Sequence, residues 1–247
     1  MRGPVVRILT LNCLFHSRAR ARLAVIGRLL KEAAPDVACL QEIILRRNVG
    51  PLSAERADFR PWGPLVLGGL VTLTRAAVES STFEVFRTGV WFEWGARKGF
   101  LTTRLRIENR PLTVINTHLL ANYDEDWRLE NRYARKQLDE LSQLAAAVNR
   151  VPTEQFLVVA GDFNVPLSSP QFGEFMSACG LQPAFDWSRL PGGERGALAI
   201  DNVLYREPDG LRVRAAAEVC LRDLVQLADG RSVYPSDHVA VLAELSW

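Results

Sequence analysis

The first apolar segments of the chain predict a strand, a helix and a second strand. Residues 5–11 alternate between apolar and polar after their first positions, as a half-buried strand does, and they end at Asn12. Apolar residues then recur at helical spacing from 23 to 33, and a short apolar run, 37–40, leads to Glu42. A strand, a crossover helix and a neighbouring parallel strand would bring Asn12 and Glu42 to adjacent strand ends.

The middle of the chain has the composition of β-strands and few helical signals. Residues 46–67 have no clear period and contain three prolines, so we interpret them as loop with one short helix. Strand-like runs cover residues 68–74, 82–92, 99–107 and 112–117. A turn at Asn109-Arg110 is expected to join the last two of these runs. Several successive strands with few helices between them predict antiparallel sheet.

The second half combines two amphipathic helices with further strands. Residues 130–149 repeat apolar positions at helical spacing, and another helix is expected to begin at Ser169-Pro170 and end at Gly180. Strands are predicted over residues 156–160, 199–205, 211–219 and 239–245. Because no repeat, low-complexity tract or long linker interrupts the pattern, we expect one domain over residues 1–247, with two packed sheets and helices outside them.

Composition and charge are those of an ordinary globular protein. Hydrophobic residues make up 48% and charged residues 23% of the chain, and a net charge of +2 is too small to require a nucleic-acid partner. No run approaches the roughly 18 apolar residues of a membrane span. The start of the chain shows no secretory signal, so we expect a cytoplasmic protein, with a processed export signal as the open alternative. The four cysteines lie among apolar residues without a C-x-x-C pair, which predicts buried free thiols and a reducing compartment.

Polar side chains capable of acid–base or metal chemistry stand at or beside the strand ends. After the run 156–160 come Gly161, Asp162 and Asn164, and residues two apart on a strand point to one face. Alone, such a pair could simply break a strand and start a turn. The same placement recurs at eight positions: Asn12, Glu42, His118, Asp162, Asn164, Asp201, Asp237 and His238. The set includes two of the three histidines, whereas the third, His16, is expected on the exposed surface. Catalytic and binding residues commonly occupy such strand ends.

The chemistry of this set favours hydrolysis of a phosphate ester. Carboxylate and amide oxygens suit Mg²⁺ or Mn²⁺ better than Zn²⁺. A divalent metal and hydrogen-bond donors can neutralise the charge that develops on phosphorus-bound oxygens while a base orients water. The chain has no glycine-rich phosphate loop with a lysine, which disfavours nucleotide-driven transfer, and it has no G-x-S-x-G nucleophile motif.

Six short motifs in order resemble the endonuclease/exonuclease/phosphatase superfamily, whose members include DNase I, apurinic-site endonucleases, inositol-polyphosphate 5-phosphatases and neutral sphingomyelinases. The motifs are Leu11-Asn12, Gln41-Glu42, Asn116-Thr117-His118, Gly161-Asp162-Phe163-Asn164, Ile200-Asp201 and Ser236-Asp237-His238. The resemblance runs from about residue 7 to residue 243. It implies an α/β fold of the DNase I type: a four-layer α/β sandwich in which helices flank two packed, mainly antiparallel β-sheets, with the site at one edge of the sheets.

The resemblance also implies a metal cofactor, Mg²⁺ or Mn²⁺. Glu42 would bind the metal, Asn12 would help to position the metal or the phosphate, and Asp237 would be a further ligand. The family often carries another acidic partner for its first histidine, and no residue of this chain is assigned to that role.

The remaining members of the set receive catalytic roles from the resemblance. Asp162 would orient or deprotonate the attacking water, and Asn164 would stabilise the phosphoryl oxygens. His118 and His238 would flank the phosphate, with Asp201 holding the ring of His238. A salt bridge at a strand end is the alternative for Asp201. Which of Asp162, His118 and His238 acts as the base, and which assists the leaving oxygen, stays open.

Two segments resemble the neutral sphingomyelinase branch more than other members. One is Leu119–Tyr123 with the long helix after it, in which Asn122 and Tyr123 are candidate substrate contacts. The other is Lys98–Leu101, in which Lys98 is a candidate phosphate contact or an ordinary surface lysine at a hairpin. These segments favour a phosphodiesterase whose substrate is a sphingomyelinase-like phospholipid or a small phosphodiester.

Aromatic residues bear on the same question. Trp91, Phe92 and Trp94 could meet a lipid interface, stack on a base or cover the edge of the sandwich core. Secreted sphingomyelinases of this family use an aromatic hairpin near the final Asp-His pair. Here residues 223–234 are short and mostly polar, so we expect that device to be absent.

Two other functions remain open, and we expect a monomer in each case. A DNA nuclease of the apurinic-site or DNase I type would need a basic groove, and the arginines that could supply it are Arg18, Arg20, Arg22, Arg46 and Arg47. Alternating arginines at the start of a helix are usually only solvated charges. The third function is an inactive binding module for phosphorylated ligands, which would not need the complete set of candidate residues.

Overall fold

Two six-stranded β-sheets form the centre of the computed structural model, which describes residues 5–52, 56–88, 97–189 and 199–247. The first sheet contains, from edge to edge, β13 (Arg214–Cys220), β16 (Ala240–Ser246), β1 (Val5–Asn12), β2 (Val37–Gln41), β6 (Val71–Thr74) and β3 (Arg56–Asp58). The second contains β11 (Gln182–Pro183), β12 (Asp201–Arg206), β10 (Phe156–Asp162), β9 (Arg110–His118), β8 (Gly99–Ile107) and β7 (Ala77–Val85). Two small hairpins are formed by β4 (Pro61–Trp62) with β5 (Leu65–Val66) and by β14 (Val225–Gln226) with β15 (Ser232–Val233).

Three α-helices begin and end where the sequence predicts, within a few residues. They are α1 (Ala19–Ala33), α2 (Arg132–Val148) and α3 (Pro170–Cys179). The side chain of Asn131 caps α2 by accepting from the amides of Tyr133 and Ala134. Helix α3 has proline in its first turn and ends at Gly180, whose φ of 62° lies in the left-handed region that glycine adopts without strain.

Alternation along the strands divides the apolar side chains among three cores. On β1, Ile8 faces the second sheet, whereas Leu9 faces α1. On β10, Val158 faces the first sheet, whereas Val159 packs toward α2 and α3. The layers are therefore helix, sheet, sheet and helix, which is the predicted four-layer α/β sandwich. The central strands of each sheet are buried on both faces, whereas the edge strands β7 and β13 are largely exposed.

The strand registers align the candidate residues in rows. Strands β1 and β2 are parallel, with Asn12 opposite Gln41. In the second sheet, β10 is parallel to β9 and antiparallel to β12, so Asp162 lies opposite both His118 and Asp201. The other pairings in both sheets are antiparallel. Since the parallel pairs end at the same edge of the sandwich, the polar residues that follow them meet there.

Several local predictions are wrong in detail. Residues 46–67 are not only loop with one helix, because they hold two 3₁₀ turns, Arg46–Asn48 and Gly50–Leu52, and the short strands β3 to β5. The turn between β8 and β9 consists of Glu108 and Asn109, both at positive φ, as a two-residue hairpin loop requires. Arg110 already belongs to β9.

The predicted strand over residues 82–92 is observed earlier, as β7, and the strand predicted over residues 211–219 begins at Arg214. The aromatic residues Trp91, Phe92 and Trp94 lie outside the described residues. The prediction of one domain over residues 1–247 stays a prediction.

All four cysteines are free thiols, as predicted. Cys13, Cys39 and Cys179 are buried and Cys220 is half-buried. Burial raises the pKa of Cys39 to about 12 and that of Cys179 to about 11, so neither is a thiolate at neutral pH. None of the helices in the described part of the chain is long and apolar enough to cross a membrane.

Candidate active site

A cavity of about 490 Å³ opens at the edge where β1, β9 and β10 end. Among the residues that line it are nine sequence candidates: Asn12, Glu42, Lys98, His118, Tyr123, Asp162, Asn164, Asp237 and His238. Asp201 does not line the cavity, but it contacts His238 from the side of β12. The structure therefore brings together side chains from the first strand to the last.

Asp162 is the centre of this group. Its Oδ2 lies 3.0 Å from Asn12 Nδ2, 3.3 Å from His118 Nε2 and 3.9 Å from His238 Nε2. Gly161, at φ 154°, allows β10 to lie close to β9 at this point. A Cβ on Gly161 would collide with the carbonyl oxygen of Thr117 on the neighbouring strand. Burial disfavours the Asp162 carboxylate, but the charge of His238, the Asn12 amide and the Lys98 ammonium hold its pKa below the ordinary range. Asp162 is therefore ionised at neutral pH.

His238 forms an ion pair with Asp201. Its Nδ1 lies 2.7 Å from Asp201 Oδ2, which leaves Nε2 to face Asp162. Burial alone would lower the pKa of His238, but the carboxylates of Asp201, Asp162 and Asp237 raise it to about 10. Burial raises the pKa of Asp201 to about 6, against the opposing charge of His238. His238 is therefore an imidazolium at neutral pH, and its ring orientation is set by Asp201.

His118, unlike His238, is neutral at pH 7. Lys98 Nζ lies 3.1 Å from His118 Nε2 and donates to the carbonyl oxygen of Leu119 at 2.7 Å. Burial and the Lys98 charge lower the pKa of His118 to about 3, against the influence of Asp162. With Nε2 accepting from the lysine, the proton of this neutral imidazole lies on Nδ1.

Glu42 and Asn12 form a second polar group on the same wall of the cavity. Asn12 Nδ2 donates to Glu42 Oε1 at 3.0 Å as well as to Asp162, and the amide of Phe15 donates to Glu42 Oε2 at 2.8 Å. Asn12 Oδ1 accepts from the amide of Leu14 at 3.0 Å. Glu42 has a left-handed backbone, with φ 63°, which turns its side chain toward Asn12 immediately after β2.

A hard divalent cation fits this group. Glu42 and the exposed Asp237 both line the cavity, and each carboxylate keeps lone pairs that its hydrogen bonds do not use. Such oxygen-only donors suit Mg²⁺ or Mn²⁺. Asp162, Asp201 and His238 also offer three ligand atoms within 4.8 Å of one another. The His238–Asp201 hydrogen bond already uses two of these groups, so this second set is better described as an ion pair beside a carboxylate.

Asn164 is held in place at the end of β10. Its backbone, at φ 51°, donates from its amide to Asp162 Oδ1, and its side-chain Nδ2 donates to the carbonyl oxygen of Leu119 at 2.9 Å. The carbonyl oxygen of Asn164 accepts from Trp127 Nε1 and from Gln137 Nε2. The second hydrogen of the side-chain amide is left to donate into the cavity.

Asn122 and Tyr123, which the sequence groups together, are separated by the structure. Tyr123 lines the cavity and is 57% exposed. Asn122 is buried outside the cavity, where its amide donates to the carbonyl oxygen of Asp126 and its Oδ1 accepts from the amide of Asp124. Asn122 therefore shapes the loop that carries Tyr123, and its role as a substrate contact stays a prediction.

The interpretation of Arg22 as part of a basic surface is also wrong. Arg22 is 3% exposed, and its guanidinium donates to five carbonyl oxygens. The helical spacing of the sequence indicates that Arg22 is buried, because it lies four residues before Ile26 and eight before Leu30, on the buried face of α1. Arg18 forms a 2.7 Å ion pair with Asp229, so two of the five arginines of the predicted basic groove are engaged within the protein.

Buried amide side chains were also missed by sequence reasoning. Gln41 Nε2 donates to Asn116 Oδ1 at 2.8 Å and thereby joins the two sheets beneath the site. Gln137, fully buried on α2, donates to Leu120 as well as to Asn164. His16 is exposed as predicted, yet it lines the mouth of the cavity beside Phe15.

Comparisons with known proteins show a family match over most of the chain. The model of the Endonuclease/Exonuclease/phosphatase family matches residues 9–238. Phospholipase C of Staphylococcus aureus is 26% identical over 113 residues, which are 44% of this chain and 33% of that protein. Sphingomyelinase C 2 of Leptospira interrogans is 26% identical over 138 residues, or 56% of this chain and 22% of that protein. The chain thus aligns with a third or less of the length of these curated relatives.

Solved structures share the fold over nearly the whole chain. A Staphylococcus aureus beta toxin variant with bound magnesium ions has a TM-score of 0.74 at 15% identity and covers 96% of this chain and 98% of its own. A humanized D. rerio TDP2 has a TM-score of 0.73 at 16% identity and covers 98% of each chain. At these identities the similarity establishes the sandwich fold alone.

Proposed function

Since the chain belongs to the endonuclease/exonuclease/phosphatase family, we propose that it is a divalent-metal-dependent hydrolase that cleaves a phosphodiester by in-line attack of water. The observation that carries the proposal is the environment of one carboxylate oxygen. Asp162 Oδ2 lies within 4 Å of an imidazolium, a neutral imidazole and an amide, in a cavity that the carboxylates of Glu42 and Asp237 also line. A module that only bound phosphate would gain nothing from burying an ionised base next to it.

The charge states divide the catalytic roles. Asp162, held ionised, takes a proton from the attacking water while a water O–P bond forms. His238, held protonated by Asp201, gives its Nε2 proton to the leaving oxygen as the ester P–O bond breaks. Proton return from Asp162 to His238, whose Nε2 is 3.9 Å away, restores both groups for the next turnover.

The other residues stabilise negative charge on the phosphoryl oxygens. We assign this role to the Asn164 side-chain amide and to Lys98, which holds His118 as a neutral imidazole. Glu42 and Asp237 would hold Mg²⁺, or Mn²⁺, and Asn12 orients the Glu42 carboxylate for it. When bound, the metal supplies Lewis-acid stabilisation of the same oxygens. The beta toxin relative binds magnesium, which supports this cofactor.

The lining of the cavity favours a phospholipid headgroup or a small phosphodiester over DNA. Exposed Phe15 and Tyr123 stand at its mouth with Leu14, Ile44 and Ala121, and Lys98 is the only lysine or arginine among the described lining residues. DNA binding depends on many phosphate contacts from lysine and arginine. One cation suffices for a single headgroup phosphate. The names of the two curated relatives, a phospholipase C and a sphingomyelinase C, point to the same substrate class.

A DNA nuclease is the second candidate because of Arg46 and Arg47. Both are exposed on the 3₁₀ turn that follows Glu42. They could meet phosphates flanking a scissile bond, in place of the engaged Arg18 and Arg22.

One panel of substrates tests these functions. The purified protein with Mg²⁺ or Mn²⁺ is offered sphingomyelin vesicles, abasic and plasmid DNA, inositol phosphates and bis-p-nitrophenyl phosphate. Turnover of the lipid and of the small diester without DNA nicking is the expected result, abolished by EDTA and restored by added metal. DNA nicking alone would support the nuclease, and inertness of the metal-loaded protein across the panel would support the binding module.

A further inference from the structure

Arg22 makes the densest set of contacts around the site, although it does not line the cavity. Its Nε donates to the carbonyl oxygen of Ser17, Nη1 to those of Cys13 and Pro235, and Nη2 to those of His16 and Leu14. A guanidinium has five N–H donors in a fixed plane, so every donor of Arg22 has an acceptor. All five acceptors are main-chain oxygens.

Four of these oxygens belong to one strained turn. In the segment from Cys13 to Arg18, Leu14, Ser17 and Arg18 have positive φ values of 53°, 51° and 63°, and none is glycine. Non-glycine residues keep such a backbone only when surrounding contacts determine it. Four carbonyl groups of the turn accept hydrogen bonds from the buried side chain of Arg22, and these bonds hold the turn in its conformation.

The amides of the same turn point toward the site. Leu14 N donates to Asn12 Oδ1, and Phe15 N donates to Glu42 Oε2. Asn12 in turn donates to both Glu42 and Asp162. The orientation of the turn therefore fixes both oxygens of Glu42, one through Phe15 and the other through Asn12.

The fifth contact reaches the segment that precedes β16. Pro235 directly precedes Ser236, Asp237 and His238, and its carbonyl oxygen accepts from Arg22 Nη1 at 2.8 Å. Ser236 Oγ adds a second tie, because it donates to the carbonyl oxygen of Asn12 at 2.6 Å. A single side chain thus joins the segment that orients Glu42 to the segment that carries Asp237.

We propose that Arg22 is a positioning residue for the metal site: it holds the segment that orients the Glu42 carboxylate and the segment that carries Asp237 in a fixed relation to each other. This inference rests on the proposed metal-dependent function. Groups that orient metal ligands typically account for about 10–100-fold in metal affinity or activity. Arg22 acts only through the main chain, so its effect is on the geometry of the site.

The Arg22→Lys variant tests this role. Lysine keeps the charge and the apolar stem, but it has three donors in place of five. It also lacks the planar guanidinium that bonds to two chain segments at once. We expect the dissociation constant for Mn²⁺, measured by electron paramagnetic resonance without substrate, to rise roughly 10–100-fold. At saturating metal, the kcat for bis-p-nitrophenyl phosphate should change less than the affinity does. Arg20→Lys, an exposed site on the same helix, is the matched control and should bind Mn²⁺ like the wild type.

Two results would overturn the inference. One is an Arg22→Lys protein that melts at a lower temperature but binds Mn²⁺ with unchanged affinity, which would make Arg22 a purely structural residue. The other comes from the wild type and needs no variant: the nuclear magnetic resonances of Arg22 Nε–H and of the Phe15 amide should shift together as Mg²⁺ is added, and unmoved resonances at saturation would exclude the coupling. Wild-type protein that binds Mn²⁺ but hydrolyses nothing would refute the proposed function and leave the inference standing.

Discussion

His118 and His238 both face Oδ2 of Asp162, but His118 is neutral at pH 7 whereas His238 is positively charged. The partner of His238 is Asp201, which with the neighbouring carboxylates raises the histidine pKa to about 10. The surroundings of His118 are its own burial and the Lys98 ammonium, which lower its pKa to about 3. Residue type and distance to the reacting centre are therefore poor guides to role, because the group behind each imidazole decides whether it can donate a proton.

The largest expected effect is that of Asp162→Asn, which removes the carboxylate common to both imidazoles. Loss of a positioned proton-transfer group typically lowers the rate about 10²–10⁴-fold, so we expect a decrease in kcat in that range, measured with bis-p-nitrophenyl phosphate at saturating Mg²⁺. Asp139→Asn, an exposed site on α2, should keep wild-type kcat. Near-normal turnover in Asp162→Asn would contradict the role of Asp162 as base.

Asp201→Asn should act mainly through His238, the side chain to which Asp201 is hydrogen-bonded. His238→Gln removes the proton donor and is expected to lower kcat about 100-fold or more. In Asp201→Asn the imidazole remains but loses the carboxylate that keeps it charged, so the fall of kcat at high pH should move from near pH 10 in the wild type to a lower pH. A pH–rate profile for each variant measures the shift. An unchanged alkaline limb in Asp201→Asn would show that His238 is not the group that titrates there.

The two histidines should also make the stability of the fold depend on pH in opposite ways. The folded-state pKa of His238 is raised above its unfolded value of about 6.5, so its ion pair stabilises the fold fully below that pH and is lost as pH rises toward 10. The folded-state pKa of His118 is depressed, so stability is lost as pH falls from about 6.5 toward 3.

Urea unfolding measures both effects. His238→Gln should be less stable than the wild type by about 2 kcal/mol at pH 6, the value of a hydrogen bond between charged groups. This difference should shrink as the pH rises from about 6.5 toward 10. His118→Gln should instead lose less stability than the wild type between pH 6 and pH 4. Parallel stability curves for all three proteins would mean that neither imidazole has a shifted pKa.

Lys98→Met separates the charge of His118 from its position. Without the ammonium, the pKa of His118 should rise and the negative charge of the substrate phosphate should lose a counter-ion, so we expect about a 10-fold decrease in kcat/KM. Arg97→Met, one residue earlier and exposed, is the control. A proton resonance titration of His118 in both variants shows whether the lysine is the cause of the neutral imidazole.

The smallest effect is expected at the mouth of the cavity. Tyr123→Ala should raise KM for sphingomyelin vesicles a few-fold and leave bis-p-nitrophenyl phosphate unaffected, because only the lipid extends beyond the phosphate to an exposed ring. Tyr234→Ala, equally exposed but outside the cavity lining, should change neither substrate.

The buried strands and the residues that follow them could be predicted from sequence for a common reason. Alternation and apolar runs report which faces of an element are buried, and β1, β2, β9, β10 and β12 are buried on both sides of the sandwich. The polar residue at the end of such a strand stands out against its apolar run, as Asp162 does after Phe156–Ala160. Short edge strands such as β3 to β5 carry too few residues for a period and were missed.

By itself the sequence determined the layered α/β fold, the strand ends and the residue types that meet there, because these follow from periodicity and from chain order. The tertiary structure alone decided that Asn122 holds a loop, that Arg22 is buried among five carbonyl oxygens, and that His118 is neutral while His238 is charged. Each of these properties depends on which groups far apart in the chain stand within a few ångströms, and on the water that burial removes. Local spacing along a sequence contains neither quantity.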